Sequence, residues 1–553
     1  GGGGGGGAAP PPPPPPPPAQ FSVSASTLVF NAAEPKSAAP AAQSVTGTVT
    51  GTINGTTLYV LITVTGDVVD SVSQPVISGS TGSASVTPVA PMALGMGTFN
   101  GTLNVRACVD RSTCASGELS GSPRVVNVTY TIGSPVQQDA VVPHVVPRDA
   151  AGTVILRGSG LGAVTSVSFG SNVGGTPTVR NATEVSVPYA ATSPGTYAVS
   201  LNNGAIPFTG SLVVADSPAF SEATLTYPVA PTGVEALVYD AERHALLVAL
   251  SYPDPNDNRV LRYTFDGTNW SSTPTSVTFQ RLRDIALSNR GDRLIVLRQY
   301  EIMEVDPVSL AMIHQTTNFD FVGHVGFMSH LALSNDGHVV VASDISGSGL
   351  TDTHLYSLAT HAFTKVSYRG GTLSGNAKTI GRISRGMPAA SGNGARVVIV
   401  PADKDFPPIV LQYADGRLTE TSLNFWHNTN YYRPALDRDA SRIVVSDGTM
   451  TPVFGNDYGL QCSLPPATRA YSMSPFGNRA FTVNTTSVLQ AFRLDANGGA
   501  CVQDGPDTTL SFDPGIDPSG FGFPKSNVRT AISPDAATLF FAGVNGILVK
   551  PWP

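Results

Sequence analysis

One short pattern recurs seven times between Val234 and Pro553, and repetition at a near-constant step constrains architecture before any single residue does. The copies read ALVYDAERHALLVAL from Ala236, DIALSNRGDRLIVLR from Asp284, HLALSNDGHVVVASD from His330, GMPAASGNGARVVIV from Gly386, RPALDRDASRIVVSD from Arg433, AYSMSPFGNRAFTVN from Ala470 and RTAISPDAATLFFAG from Arg529. Each is a strand of small and apolar residues, a polar turn, then a strand rich in Val, Ile, Leu or Phe. Aligned on Tyr239, Ser288, Ser334, Ser391, Asp437, Ser474 and Ser533, the copies are 49, 46, 57, 46, 37 and 59 residues apart.

Those steps match the length of a four-stranded propeller blade, so seven copies predict a seven-bladed β-propeller over residues 217–553. The turns SNRG, SNDG, SGNG and SPDA join the first two strands of their blades, because Asn, Asp and Gly tolerate the left-handed backbone of tight hairpins. Ile285 to Thr316 holds a complete blade, with YEIMEVDP and SLAMIHQT as its third and fourth strands. The last copy runs out of chain after three strands, so Ser221 to Val229 is expected to supply the fourth and close the ring.

The signature apolar-x-apolar-Ser-Pro/Asn-Asp-Gly-x-x-Leu/Val-x-Val resembles the YVTN-type and lactonase-like seven-bladed propellers. That resemblance implies the fold and leaves the role open, since such propellers include enzymes, binding proteins and structural modules.

Only 13% of the 553 residues are charged, where about 25% is usual, and helix-period apolar stretches are scarce. The chain therefore reads as all-β. Its net charge of −7 argues against general affinity for nucleic acid or anionic membrane. The longest apolar stretch, around Leu58 to Gly66, is strand-sized. Residues 1–19 are Gly, Ala and a run of nine Pro, a tether whose polyproline part reaches about 28 Å. It resembles the segment that follows the lipidated Cys of bacterial lipoproteins, which implies such a Cys just before Gly1, a lipid anchor as the sole membrane attachment, and an extracytoplasmic location. The other reading is an ordinary secreted protein.

Residues 20–133 alternate short strands with Gly/Ser/Thr/Asn turns, as a β-sandwich does. FSVSASTLVF and GTFNGTLNVRACVD with VVNVTYTI resemble the BACON type of immunoglobulin-like domain. Residues 134–216 resemble the IPT/TIG immunoglobulin-like domain, through TVILRGSGLGAVTSVSFGS (Thr153 to Ser171) and SPGTYAVSLNNG (Ser193 to Gly204). Gly158, Gly160 and Gly162 allow a tight turn there, and Tyr197 is an aromatic to plug the sandwich. GSGLG lacks the following helix that nucleotide binding needs. The fold expectation is thus two immunoglobulin-like β-sandwiches followed by the propeller.

An even cysteine count in an exported chain favours disulfides. Cys108 with Cys114 and Cys462 with Cys501 are the expected pairs, and the first lacks both a nearby His and the CxxC spacing of a zinc site. The nine His are scattered, SGSG at Ser346 to Gly349 lacks the strand-to-helix setting of a serine-hydrolase elbow, and the sialidase Asp-box and the Trp-rich repeat of quinoproteins are absent. No catalytic set, metal or cofactor is expected. RGD at Arg290 to Asp292 and DPNDN at Asp254 to Asn258 fall in turns, where their residue types already suffice as turn formers.

One constellation invites ligand binding. Arg283, His330, Arg385, Arg433, Arg469 and Arg529, with Glu235 in the first blade, sit just ahead of the inner strands, at one mouth of the channel. They form either a basic rim on an acidic propeller, suited to carboxylates or sulfates of an acidic glycan, or inter-blade ion pairs. Trp426, Tyr431 and Tyr432 in FWHNTNYY are candidates for stacking on sugar rings, or for packing between blades. The leading expectation is a non-enzymatic surface binding or adhesion protein recognising an extracellular glycan or envelope protein. A channel hydrolase or lactonase and a structural subunit of an extracellular assembly are the rivals.

Overall fold

The computed structural model describes residues 1, 17–53, 57–109, 113–135, 137–170, 173–321, 326–345, 349–370, 378–401, 409–423, 432–447, 449–466, 470–494, 501–515 and 528–552. The chain divides into two compact units, residues 1–133 with 369–378, and the remainder.

In the first unit two sheets enclose one core. Strands Gln20–Val23, Gln43–Thr50, Thr81–Pro88 and Val69–Val72 neighbour one another in that order, and Thr27–Ala32, Arg124–Ile132, Gly97–Cys108 and Tyr59–Thr65 form the second sheet. Period-two patterning makes this possible: along Arg124–Ile132 the residues Val126, Val128, Tyr130 and Ile132 are buried, joining Phe21, Phe30, Val45, Val86 and Leu103 from both sheets. A Cys108–Cys114 disulfide ties off the end of Gly97–Cys108.

The second unit begins with another small β structure. Ala140–Val142, Ala151–Arg157, Glu184–Ala190 and Val173–Gly174 form its main sheet, and Val145–Pro147, Ser211–Ala215 and Gly195–Ala198 a second. Val154, Leu156, Phe169, Val185, Val187 and Leu212 fill its core. Tyr197 packs against that core and its hydroxyl donates to the carbonyl of Ser193 at 3.0 Å.

Residues 223–552 form a β-propeller. Its inner strands are Gly233–Asp240, Leu282–Leu287, Gly326–Leu333, Gly386–Ala390, Ala435–Leu436, Ala470–Met473 and Arg529–Ile532, and each begins an antiparallel sheet of at least four strands. Successive inner strands touch, and the seventh touches the first, so the seven blades make a closed ring. In blade 7 the chain contributes Arg529–Ile532, Thr538–Gly543 and Gly546–Pro551, and the outer position is taken by Ala223–Leu225, antiparallel with Leu225 opposite Ile547. Blades 5 and 6 are also joined covalently, because Cys462 and Cys501 on their outer strands form a disulfide.

The repeated motif has a local physical cause. The N–H of Ser288, Ser391, Ser474 and Ser533 donates to the carbonyl five residues on, at 2.8–3.0 Å. The side-chain oxygen of Ser288, Ser391 and Ser533 takes the N–H of that same residue, at 3.0–3.1 Å, and Asp437 does so for Arg442 at 3.2 Å. Closing this turn requires a left-handed residue three past the anchor. Gly291, Gly337, Gly394 and Gly477 supply it, and Ala440 and Ala536 adopt it at φ 58° and 59°. The turns then bond to one another round the ring: Asn335 N–H to Gly394 O at 2.7 Å, Asn393 N–H to Arg438 O at 2.7 Å, and Arg438 N–H to Pro475 O at 2.9 Å.

Candidate functional site

In an antiparallel four-stranded blade the first and third hairpins lie at one end, and the second hairpin and the link to the next blade at the other. The small β structure of residues 134–216 docks on the first of these ends. Arg157, 1% exposed, is ion-paired with Glu184 at 2.6 Å and with Asp415 at 3.2 Å. Arg180 grips Asp415 at 2.5 Å, His144 faces Glu242 at 3.4 Å, and Arg438 donates to the Tyr189 hydroxyl at 3.3 Å. The His144 hydrogen bond holds the Glu242 carboxyl below its usual range. Glu242, Asp415 and Arg438 all lie in first or third hairpins. Arg290 of the RGD turn donates to the carbonyl of Asp139 at 2.9 Å and so is committed to this contact. In DPNDN, Asp254 caps the short helical turn Pro255–Asp257 through the Asn256 N–H, at 2.9 Å.

The channel holds a cavity of about 260 Å³ whose lining runs along the inner strands, from Tyr432, Arg433 and Val528 at the opposite mouth to Leu436, Met473 and Ile532. The inner strands are rich in alanine, and Ala236, Ala389, Ala435, Ala470 and Ala531 line the space that larger side chains would fill. Into it project Arg433 and Arg529, beside Tyr432 and Tyr471.

A fixed carboxylate organises one side. The register of blade 2 shifts between Leu282 and Asp284, and Asp284 is fully buried. Its two oxygens accept the N–H of Ile285 and the N–H of Leu331 in blade 3, each at 2.9 Å. Arg433, entering blade 5, reaches from across the ring and pairs with both oxygens of Asp284, one contact being 3.4 Å. The Tyr471 hydroxyl donates to the carbonyl of Arg433, and burial raises its pKa well above the ordinary tyrosine value.

Arg529 is held differently. Its Nε donates to the carbonyl of Val234 at 3.1 Å. Burial lowers the pKa of its guanidinium and the neighbouring charge of Arg433 lowers it further, against the opposing pull of Glu235 and Asp284. Glu235 itself is 8% exposed and does not line the cavity.

Of the sequence candidates, Arg433, Arg529 and Tyr432 thus share one space. Arg385 pairs with Asp344 of blade 3 at 3.3 Å between blades, Arg283 lies over the Phe327 ring at 4.6 Å, and His330 is within the inner strand of blade 3. None of these three lines the cavity. Arg469, Trp426 and Tyr431, like Ser346 to Ser348 of the SGSG run, fall outside the described residues. Sequence reasoning missed Asp284 and Tyr471. Each interrupts an otherwise small or apolar inner strand, and that break in the repeat was the available signal. Among the described residues no group of three or more His, Cys, Asp or Glu converges as a metal site would.

No protein-family model matches the chain, and no curated protein matches it. Among solved structures it is similar to a chain of the mitotic checkpoint complex at 14% identity, covering 62% of this chain and 97% of that one with a TM-score of 0.42. It is similar also to the WD40 repeats of RRP9 (11% identity, 60% and 97% covered, TM-score 0.41) and to U3-55K (12% identity, 61% and 100% covered, TM-score 0.42). The propeller assignment rests on the closed ring of sheets itself.

Proposed function

We propose that this is a non-enzymatic, extracytoplasmic binding protein whose propeller is the recognition head and whose two N-terminal β structures are immunoglobulin-like stalk modules, of BACON and IPT/TIG type. The observation that carries the reading is the asymmetry of the propeller: one end is occupied by charged contacts with residues 134–216, while the other places Arg433 and Arg529 where the channel cavity begins. A rigidly docked stalk module fixes the direction in which that cavity is presented. The two disulfides suit an oxidising compartment, and the Gly/Pro tether at residues 1–19 suits a molecule held off a surface.

The partner is an extracellular glycan or an envelope protein, met at the cavity-bearing end. The test is a glycan array that includes acidic polysaccharides, run with and without Ca²⁺, beside a pull-down from envelope extract. Selective capture in either arm supports the role, and loss of that capture on charge reversal at Arg433 assigns it to this mouth. Capture of nothing in both arms, with turnover of ester or lactone substrates instead, would replace the binding reading with a channel hydrolase.

A further inference from the structure

The two channel arginines differ in how their hydrogen bonds are met. Arg433 is locked: Asp284 takes its fork, and Asp284 is itself held by two backbone N–H groups. Arg529 uses Nε on Val234, and among the described residues its Nη1 and Nη2 donate to no protein acceptor. The planar pair of N–H groups at the end of a guanidinium matches a carboxylate in spacing and direction. The cavity in front of it, about 260 Å³, approaches the small end of ligand pockets, roughly 300 Å³. Aromatic walls from Tyr432 and Tyr471 flank that space. With Arg433 already paired to Asp284, the outer N–H groups of Arg529 are the ones left to meet an anion in this cavity.

We infer that the channel is a carboxylate site, in which Arg529 grips the ligand with Nη1 and Nη2 while the Arg433–Asp284 pair borders the same cavity. The ligand class is a small organic acid or the acidic terminal residue of a longer chain, with the ring or stem against Tyr432. The inference deepens the binding role and rests on it only for which end of the propeller is used. Acid binding without partner capture would retain the site and lose the role, whereas capture insensitive to Arg529 would do the reverse.

The experiment is isothermal titration of the full chain at fixed ionic strength with galacturonate, its trimer, acetate and neutral galactose. Saturable one-to-one binding of galacturonate or acetate is expected, with galactose inert. Tighter binding of the trimer would identify a chain end, and equal binding a free acid. Arg529→Gln should weaken the acid by about tenfold or more, and Arg529→Lys, which keeps charge but loses the fork, by a smaller factor. To keep the test valid should these variants fold poorly, phenylglyoxal labelling of the wild type is followed by peptide mapping. Galacturonate should slow modification of Arg529 and leave the exposed Arg493 unchanged. Absence of saturable acid binding, or equal labelling of Arg529 with and without acid, would overturn the inference.

Discussion

The two ends of the propeller are built from the same seven repeats and obey different rules. At the hairpin end each copy spends its polar residues on its own turn and on the next: Ser or Asp closes the hairpin, a left-handed residue permits it, and backbone bonds link neighbouring turns. At the channel end the repeat breaks down. Asp284, Arg433, Tyr471 and Arg529 lie in four different blades: Arg433 pairs with Asp284 across the ring, Tyr471 donates to the Arg433 carbonyl of the neighbouring blade, and Arg529 donates to the carbonyl of Val234. Regularity marks the end that holds the ring and carries the docked module; departure from it marks the end with chemistry to offer.

The largest expected effect comes from breaking the docked end. Arg157→Leu removes the 2.6 Å partner of the buried Glu184 and one partner of Asp415, leaving both carboxylates to Arg180, so the cost is expected near the low end for breaking a buried pair, about 3 kcal/mol. Thermal melting of the full chain should show a fall of several degrees, together with new proteolytic cleavage near residue 216. An unchanged melting curve would mean that the docking contact contributes little.

A paired substitution sharpens the same point. Gly291 and Gly337 occupy the same place in the repeat, at φ 68° and 78°. A Cβ on Gly337 meets nothing within 4 Å, so Gly337→Ala should cost only the left-handed backbone penalty, about 1 kcal/mol. A Cβ on Gly291 would lie 2.6 Å from His144 Cδ2, so Gly291→Ala should cost about 2–3 kcal/mol. Chemical denaturation of both variants gives the difference, which isolates the contact with residues 134–216. Equal losses would mean that His144 yields without cost.

The contrast also explains what could be read in advance. Seven hairpins were legible because their cause is local: Ser288 and Gly291 three residues later carry the turn in the sequence itself. The cysteine pairs were legible from count and compartment logic, and Cys108–Cys114 and Cys462–Cys501 are both bonded. The channel site was only half legible. Arg433 and Arg529 stood out by position, but the partner of Arg433 is a residue 149 positions earlier, and no local pattern encodes a pairing across the ring. Docking of residues 134–216 was not foreseen for the same reason, since Asp415 looks like an ordinary turn residue until Arg157 and Arg180 converge on it.

A smaller effect tests the hairpin end through pH. Burial raises the pKa of Asp437 to about 6, against the stabilising hydrogen bonds from Ser441 and the Arg442 N–H. Its unfolded value is about 3.9. A carboxyl with a raised folded pKa binds its proton more tightly in the folded state, so its contribution favours folding below about pH 4 and is lost as pH rises through 6. Asp437→Asn should remove that slope and stabilise the protein at pH 8, relative to wild type, by about 1–2 kcal/mol more than at pH 4. Melting temperatures across pH 4–8 give the comparison, and parallel curves for the two proteins would show that Asp437 does not titrate in this window.

The smallest effect separates the demands of the turn from the identity of its residue. Ala440 and Ala536 hold the left-handed conformation that glycine holds in four other copies, at φ 58° and 59°. An L side chain there costs about 1 kcal/mol or more, partly offset by the greater freedom that glycine brings to the unfolded chain. Ala536→Gly should therefore stabilise the propeller by about 0.5 kcal/mol, although glycine weakens most other positions. Because the Ser533 and Thr538 bonds that close this turn involve no atom of the Ala536 side chain, they remain intact in the variant. A gain in denaturation midpoint with an unchanged slope would confirm that backbone strain alone is relieved. A loss would show that the alanine methyl contributes packing at this turn that outweighs the strain.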